Sequence, residues 1–334
     1  MKMLMFDFRD SEISYFNKYD LTDFEIEFIK EPLNEMSVLT EKQLCETDIV
    51  SVYITSSVTE KVIKKFKNLR IISTRSTRYG HIDLKYCTQN NIAVFNVNEY
   101  GENAAAQYTF LLVLSIIRKL IPSYTDMQRG LINHEKYEGK ELENLTIGIV
   151  GCNKTGRSVA KIANNFGMKI NVCDYKKDNE IFPFTNYCSF DELLQESDVI
   201  TLHLPYTSET HHIINEDALK KIKKGAVLIN ISRGELVDVI ALYNSLAEGH
   251  IGGAALDSIE CDKIVVNSLP IDTESEHSAC ITKALAVQKL LGMPNVIITP
   301  HIAYNTRETN ENILSSMFNS LRDFTKGLHT NQLR

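Results

Sequence analysis

The stretch LTIGIVGCNKTGRSVAKIANNFGMKINVCD, residues 145–174, opens on a β-branched run, passes a glycine-bearing turn into a helical pattern, and closes on a second apolar run ending in an acid. Strand, tight turn, helix and strand in that order make a βαβ unit of the dinucleotide-binding kind. Such a turn brings backbone N–H groups and a helix N-terminus against a pyrophosphate, so side chains must stay clear of it. Gly151 and Gly156 hold the first and third glycine positions. Asn153 stands at the second; Asn tolerates a left-handed backbone, but its side chain takes up room the phosphates would use. Asp174 ends the second strand, where a carboxylate accepts hydrogen bonds from the adenine-side ribose and repels an added 2′-phosphate, which favours NAD over NADP. Lys176 and Lys177 follow it as a solvated surface pair.

On both sides of this unit, short β-branched runs alternate with helical stretches: IVSVYIT (49–55), RIIST (70–74) and IAVFNV (92–97) before it, DVITLHLP (198–205), GAVLINIS (225–232), GGAALD (252–257) and NVIITP (295–300) after it. The alternation predicts parallel sheets, and the near-continuous apolar runs predict strands buried on both faces. At 334 residues the chain exceeds one comfortable core. The expected fold is α/β, with two Rossmann-like doubly wound parallel-sheet domains and a cleft between them. Residues 1–100 plus 301–334 form a flavodoxin-like substrate domain in this reading, and 101–300 a NAD-binding domain. A single amphipathic segment from Glu102 to about Arg129 connects the two, and a helix from about Thr306 to Leu328 crosses back.

Composition excludes other classes. Hydrophobic residues at 43% and charged residues at 24% suit a globular protein. A net charge of −7 would repel a phosphate backbone, and no basic stripe with interleaved aromatics is present, so nucleic acid is set aside. Lys220, Lys221, Lys223 and Lys224 fall in the last turn of an expected helix, where cations offset the dipole. MKMLMFDFRD turns acidic too early for an export signal, and the longest apolar run, Phe110 to Ile117, is too short to span a bilayer. A cytoplasmic protein without a membrane segment follows. Cys45, Cys87, Cys152, Cys173, Cys188, Cys261 and Cys280 form no CxxC pair, which predicts reduced, mostly buried thiols and no metal site.

Reducing a 2-keto acid by hydride requires an anchor for the carboxylate, an acid that protonates the oxygen, and a group that keeps that acid charged. Arginine, histidine and a carboxylate meet those needs. INISRGELVD (229–238), ALDSIECD (255–262) and ITPHIAYNT (298–306) supply them at strand ends. With STRSTRYGHIDL, NEYGENAAAQYTF and TLHLPYTSETHHIIN, these segments make the chain resemble the D-isomer-specific 2-hydroxyacid dehydrogenases from about Arg70 to Thr306, and most closely their D-lactate dehydrogenase branch.

The resemblance implies that Arg233 binds the substrate carboxylate and keto oxygen and that His301 is the acid and base. The family's third catalytic residue, a glutamate, aligns with Asp262, one methylene shorter; Glu260 is longer and ranks second. The resemblance also gives Asp257 the nicotinamide carboxamide, and Lys154 and Thr155 the pyrophosphate through their backbones. Leu204, Pro205, Thr210, Ile231 and Ser232 line the rest of the cofactor site with Arg233. His203 reads equally as a site or a packing residue.

For the substrate, the resemblance points to the backbone at Ser76, Thr77 and Arg78 and to the Tyr100 hydroxyl, with Tyr53 and Tyr304 as walls or packing residues. The family has glycine at 78. The arginine reads either as an anchor for a second anionic group or as a strained residue in an eroded site. Two classes stay open: an NAD-dependent dehydrogenase acting on a small 2-keto acid, and an NAD-binding sensor or scaffold on the same fold. A homodimer through the helix after Glu102 is also implied.

Overall fold

In the computed structural model, residues 1–16, 18–98, 101–174, 183–261 and 275–333 are described. Tyr100, Lys176, Lys177 and Asp262 lie outside the described residues. The chain divides into two compact units, Met1–Gly101 with Asn305–Arg334, and Glu102–Tyr304.

The described residues of the first unit form a six-stranded sheet ordered β13-β5-β4-β3-β1-β2. Its strands are β1 (Lys2–Met5), β2 (Glu25–Phe28), β3 (Ile49–Val52), β4 (Ile71–Thr74), β5 (Ala93–Phe95) and β13 (Gln332–Leu333). All pairings are parallel except that of β13 with β5. Ile49, Val50, Val52, Ile71 and Ile72 are fully buried, as expected of strands covered on both faces. The helix Arg307–Thr325 begins where the Thr306 hydroxyl accepts the Thr309 N–H. It buries Ile313, Leu314, Met317, Phe318 and Leu321, a stripe at helical spacing whose Phe318 meets the rings of Phe16, Tyr19 and Phe24.

The second unit carries a seven-stranded sheet among its described residues, ordered β12-β11-β10-β9-β6-β7-β8. The strands are β6 (Thr146–Val150), β7 (Lys169–Cys173), β8 (Asn186–Tyr187), β9 (Val199–Leu202), β10 (Val227–Asn230), β11 (Gly253–Leu256) and β12 (Val296–Ile298), all parallel. Every β-branched run singled out in the sequence falls on a strand. The strand order reverses between β6 and β9, which opens a crevice beyond their carboxyl ends.

Two expectations need correction. The segment after Glu102 is not one helix: Glu102–Ile117 and Leu120–Gln128 meet at 61°, with Lys119 in the left-handed region at φ 51°. The first of these is largely buried through Ala106, Thr109, Phe110, Leu112 and Val113, whereas the second buries no residue. No single described helix is long and apolar enough to cross a membrane.

The cysteines are not all reduced either, because Cys261 and Cys280 form a disulfide. Cys261 follows β11 and Cys280 lies in the helix Ser275–Leu291, whose return brings the two Cα atoms to 5.8 Å, inside bonding range. A search for CxxC spacing misses a pair 19 residues apart. Cys45, Cys87, Cys152, Cys173 and Cys188 remain thiols. Burial pushes Cys87 and Cys188 up to about 11, which keeps them protonated and unreactive.

Closing a loop of this length restrains the unfolded chain by about 3 kcal/mol in the chain-entropy model. Cys280→Ser is therefore expected to lower the unfolding free energy of oxidised protein, extrapolated from urea titration, by that order. A reductant should lower the wild type to the level of the variant and leave the variant unchanged.

Candidate active site

Parallel pairing sends the turns after β6, β7, β9, β10, β11 and β12 to one edge of the second unit's sheet. Gly151 and Asn153, Asp174, His203 to Pro205, Ile231 to Arg233, Asp257, and His301 accordingly all lie on that edge.

At the crevice between β6 and β9, Gly151 has φ +93°, and a Cβ there would sit 2.8 Å from the His203 carbonyl oxygen. A Cβ on Gly156 would approach the Gly151 carbonyl oxygen to 2.3 Å, so the turn and the helix Lys154–Asn165 meet without side chains between them. Asn153 is extended, at φ −66° and ψ −175°, so the left-handed tolerance of Asn is not used. It caps the helix instead: its Oδ1 accepts the Gly156 N–H at 3.0 Å, and its Nδ2 donates to the His203 carbonyl at 2.7 Å. This joins the ends of β6 and β9 and engages the Gly156 N–H inside the turn. Exposed Lys154 and half-buried Thr155 open the first turn, and the Asp174 carboxylate accepts the Cys152 N–H at 2.5 Å, which aims it along the same turn. Two glycines that allow close packing, a 12-residue helix behind the turn and an acid at the end of β7 fit a bound NAD.

After β9, the Thr210 hydroxyl donates to the Pro205 carbonyl and closes the turn that follows Leu204. His203 is 2% exposed and its Nε2 lies 2.9 Å from the Thr201 hydroxyl, which makes it a satisfied core residue. After β10, fully buried Asn230 accepts the Ser232 N–H at 3.0 Å and donates to the Arg233 carbonyl at 2.7 Å, while the Ser232 hydroxyl donates to the Leu204 carbonyl. These bonds fix the backbone on both sides of the half-buried Arg233. Ile231 is buried beside them.

After β11, the Asp257 carboxylate is 1% exposed and accepts three donors from the turn after β12: the Thr299 hydroxyl at 2.5 Å, the Ile302 N–H at 3.0 Å and the Ala303 N–H at 2.8 Å. These donors bracket His301, which sits in the left-handed region at φ 56° with the Tyr304 ring 6.3 Å away. Glu260 has both oxygens engaged, by His212 and Lys283.

In the first unit, Ser76, Thr77 and Arg78 follow β4 and Tyr53 follows β3. The Ser76 hydroxyl donates to the Arg78 carbonyl at 2.6 Å. Half-buried Arg78 is not among the residues with positive φ, so the glycine-to-arginine change brings no left-handed strain. Arg75, which sequence reasoning passed over, is fully buried and donates to the Ser51 hydroxyl and to the carbonyls of Phe6 and Asp7. Its guanidinium lies 4.5 Å over the ring of Tyr53, which is itself buried. A charge set in the apolar run RIISTRS was the available signal.

The family model described as D-isomer specific 2-hydroxyacid dehydrogenase, NAD binding domain, matches residues 110–303. A D-specific alpha-keto acid dehydrogenase of Enterococcus faecium is 34% identical over 282 residues, 83% of this chain and 83% of that protein. Among solved structures, a D-lactate dehydrogenase from Aquifex aeolicus complexed with NAD and lactic acid is 32% identical, with a TM-score of 0.82 over 97% of this chain and 96% of its own. A D-2-hydroxyisocaproate dehydrogenase is 30% identical, with a TM-score of 0.88 over 100% and 99%.

Burial pushes His203 down to about 3. The folded protein therefore holds it neutral while the unfolded chain takes up its proton near the ordinary value, so this stability is complete above pH 6.5 and lost as pH falls towards about 3. Urea titrations stepped downward from neutral pH should show His203→Gln weaker than the wild type at neutrality but with a flatter acid-side decline. Parallel declines would remove His203 as their source.

Proposed function

We propose residue roles on one premise: the chain belongs to the D-isomer specific 2-hydroxyacid dehydrogenases and is an NAD-dependent oxidoreductase interconverting a 2-keto acid and its D-2-hydroxy acid. The observation that carries the roles is the arrangement of Arg233 and His301 on one sheet edge, Arg233 held at its carbonyl by buried Asn230 and His301 through the bonds of buried Asp257 to Ile302 and Ala303. Arg233 anchors the carboxylate and polarises the keto oxygen. His301 donates its proton to that oxygen in reduction and withdraws it in oxidation. Bound NADH supplies the hydride. Asp257 aims the His301 turn through its three donors, and Asp262 keeps His301 charged, a role that rests on the resemblance.

For the cofactor, the backbone of Lys154 and Thr155 meets the pyrophosphate beside Gly151, Asn153 and Gly156, and Asp174 takes the ribose. Leu204, Pro205, Thr210, Ile231 and Ser232 form the remaining wall. For the substrate, the Ser76 to Arg78 backbone and Tyr100 hold the carboxylate, and Tyr304 stands beside His301. Tyr53 supports Arg75 from beneath.

A homodimer forms through the outer helix Leu120–Gln128 and the segment behind it. Leu120, Ile121, Tyr124, Met127, Leu131 and Ile132 are all about half exposed or more, an apolar stripe that a second copy would cover.

Purified protein should oxidise NADH with at least one of pyruvate, phenylpyruvate, 2-ketoisocaproate and oxaloacetate. Arg233→Ala should lose about thirtyfold or more in kcat/KM, since truncating a charged partner costs about 2–5 kcal/mol. His301→Ala should lose a factor of about 10²–10⁴. A preference for oxaloacetate would assign Arg78 to a second anionic group; retention of activity in Arg233→Ala would end the anchor reading. Sedimentation of the double variant Tyr124→Glu, Met127→Glu should give a monomer where the wild type gives a dimer, and an unchanged mass would place the interface elsewhere.

A further inference from the structure

Glu260 is two residues short of the position aligned with the catalytic acid, and its side chain is only 13% exposed. One carboxylate oxygen lies 2.9 Å from His212 Nε2, and the other accepts from Lys283 Nζ. Both partners are themselves mostly withdrawn from water, at 22% and 19% exposure. Burial alone would raise the Glu260 carboxyl, but donation by Lys283 and His212 outweighs it and holds the group below the usual range. A carboxylate committed in this way is not available to a catalytic histidine.

Three further contacts give the cluster a direction. A Cβ on Gly234, the residue after Arg233, would sit 2.1 Å from the Ile259 carbonyl carbon and 2.3 Å from the Glu260 nitrogen, so the Arg233 turn rests directly on the Ile259–Glu260 peptide. The His212 N–H donates to the Glu235 carbonyl at 2.8 Å and the Ile214 N–H to Leu236 at 3.0 Å, so the segment held by Glu260 is bonded to the chain leaving Arg233. Cys261, the next residue, is joined covalently to Cys280, one helical turn before Lys283 in the helix Ser275–Leu291. Consecutive residues thus pin one corner of the chain to one helix, once by a bond and once by charge.

We propose that Glu260 is a positioning residue for the reaction: bridging His212 and Lys283, it fixes the 259–261 corner against Gly234 and thereby sets the place of Arg233. The inference rests on the reading of Arg233 as the substrate anchor. Its effect falls mainly on the keto acid, because Asn153 is bonded to Gly156 and His203 and Asp174 accepts from Cys152, at the β6 and β7 ends of the sheet edge and away from the corner after β11. A displacement of about 1 Å at an anchoring group costs up to about a hundredfold in rate.

Glu260→Gln retains shape and removes the charge. The expected result is a loss of at least about tenfold in kcat/KM for the keto acid, with NADH affinity by fluorescence titration changed less than about twofold. Lys283→Gln should move both quantities in the same sense, and it decides the matter if Glu260→Gln does not fold. Wild-type kcat/KM in a folded variant overturns the proposal, as does an equal loss of NADH affinity, which marks general loosening. Arg233→Ala separates the two failures: no effect there overturns the anchor reading and this inference with it, whereas a large effect beside a silent Glu260→Gln overturns this inference alone.

Discussion

The buried Asp257 carboxylate, tied to Thr299, Ile302 and Ala303, is the interaction on which the site depends. It stands at the end of β11 and its donors belong to the turn after β12, so it fixes one strand end against the next. His301 lies inside that turn at φ 56°, a conformation that costs a non-glycine residue about 1–3 kcal/mol. Hydrogen bonds to a charged group contribute about 1.5–3 kcal/mol each, and three of them exceed the strain. His301 therefore holds its unfavourable backbone because the donors on either side of it solvate a buried charge.

The same device recurs along the edge. Asn153 ties the turn after β6 to the His203 carbonyl after β9, Ser232 ties the turn after β10 to Leu204, and Gly234 packs the Arg233 turn against the corner after β11. With Asp257 reaching to β12, adjacent strand ends are joined one to the next from β6 to β12. Short polar side chains and absent Cβ atoms do this work, whereas the apolar strands behind them set only the spacing. The chemistry rests on a rigid frame, as preorganised donors require.

How much of this was legible follows from the kind of signal. The inner strands were legible because burial on both faces leaves continuous apolar runs, as in VITL and VLIN. β2 was not: EIEF lies on a sheet edge, mostly exposed, and its composition matches a surface loop. The turn at Gly151 and the acid at Asp174 were readable because they are local. The Asp257 contacts, the Arg75 anchorage over Tyr53 and the Cys261–Cys280 bond join residues far apart in the chain, and no spacing rule covers them. The bend at Lys119 escaped because the apolar pattern continues across it while a single residue changes its backbone region.

The departures from the family pattern bear on whether the site is intact. An eroded site should carry side chains in strained backbone or in positions that obstruct their neighbours. Arg78 lies outside the left-handed region, and Asn153 lies in extended backbone with both ends of its amide bonded. Asn153 engages the Gly156 N–H and provides a helix cap and a strand-to-strand tie that a glycine cannot, the cap contributing about a few tenths of a kcal/mol over glycine. Decay leaves contacts unmade, whereas the Asn153 amide is bonded at both ends.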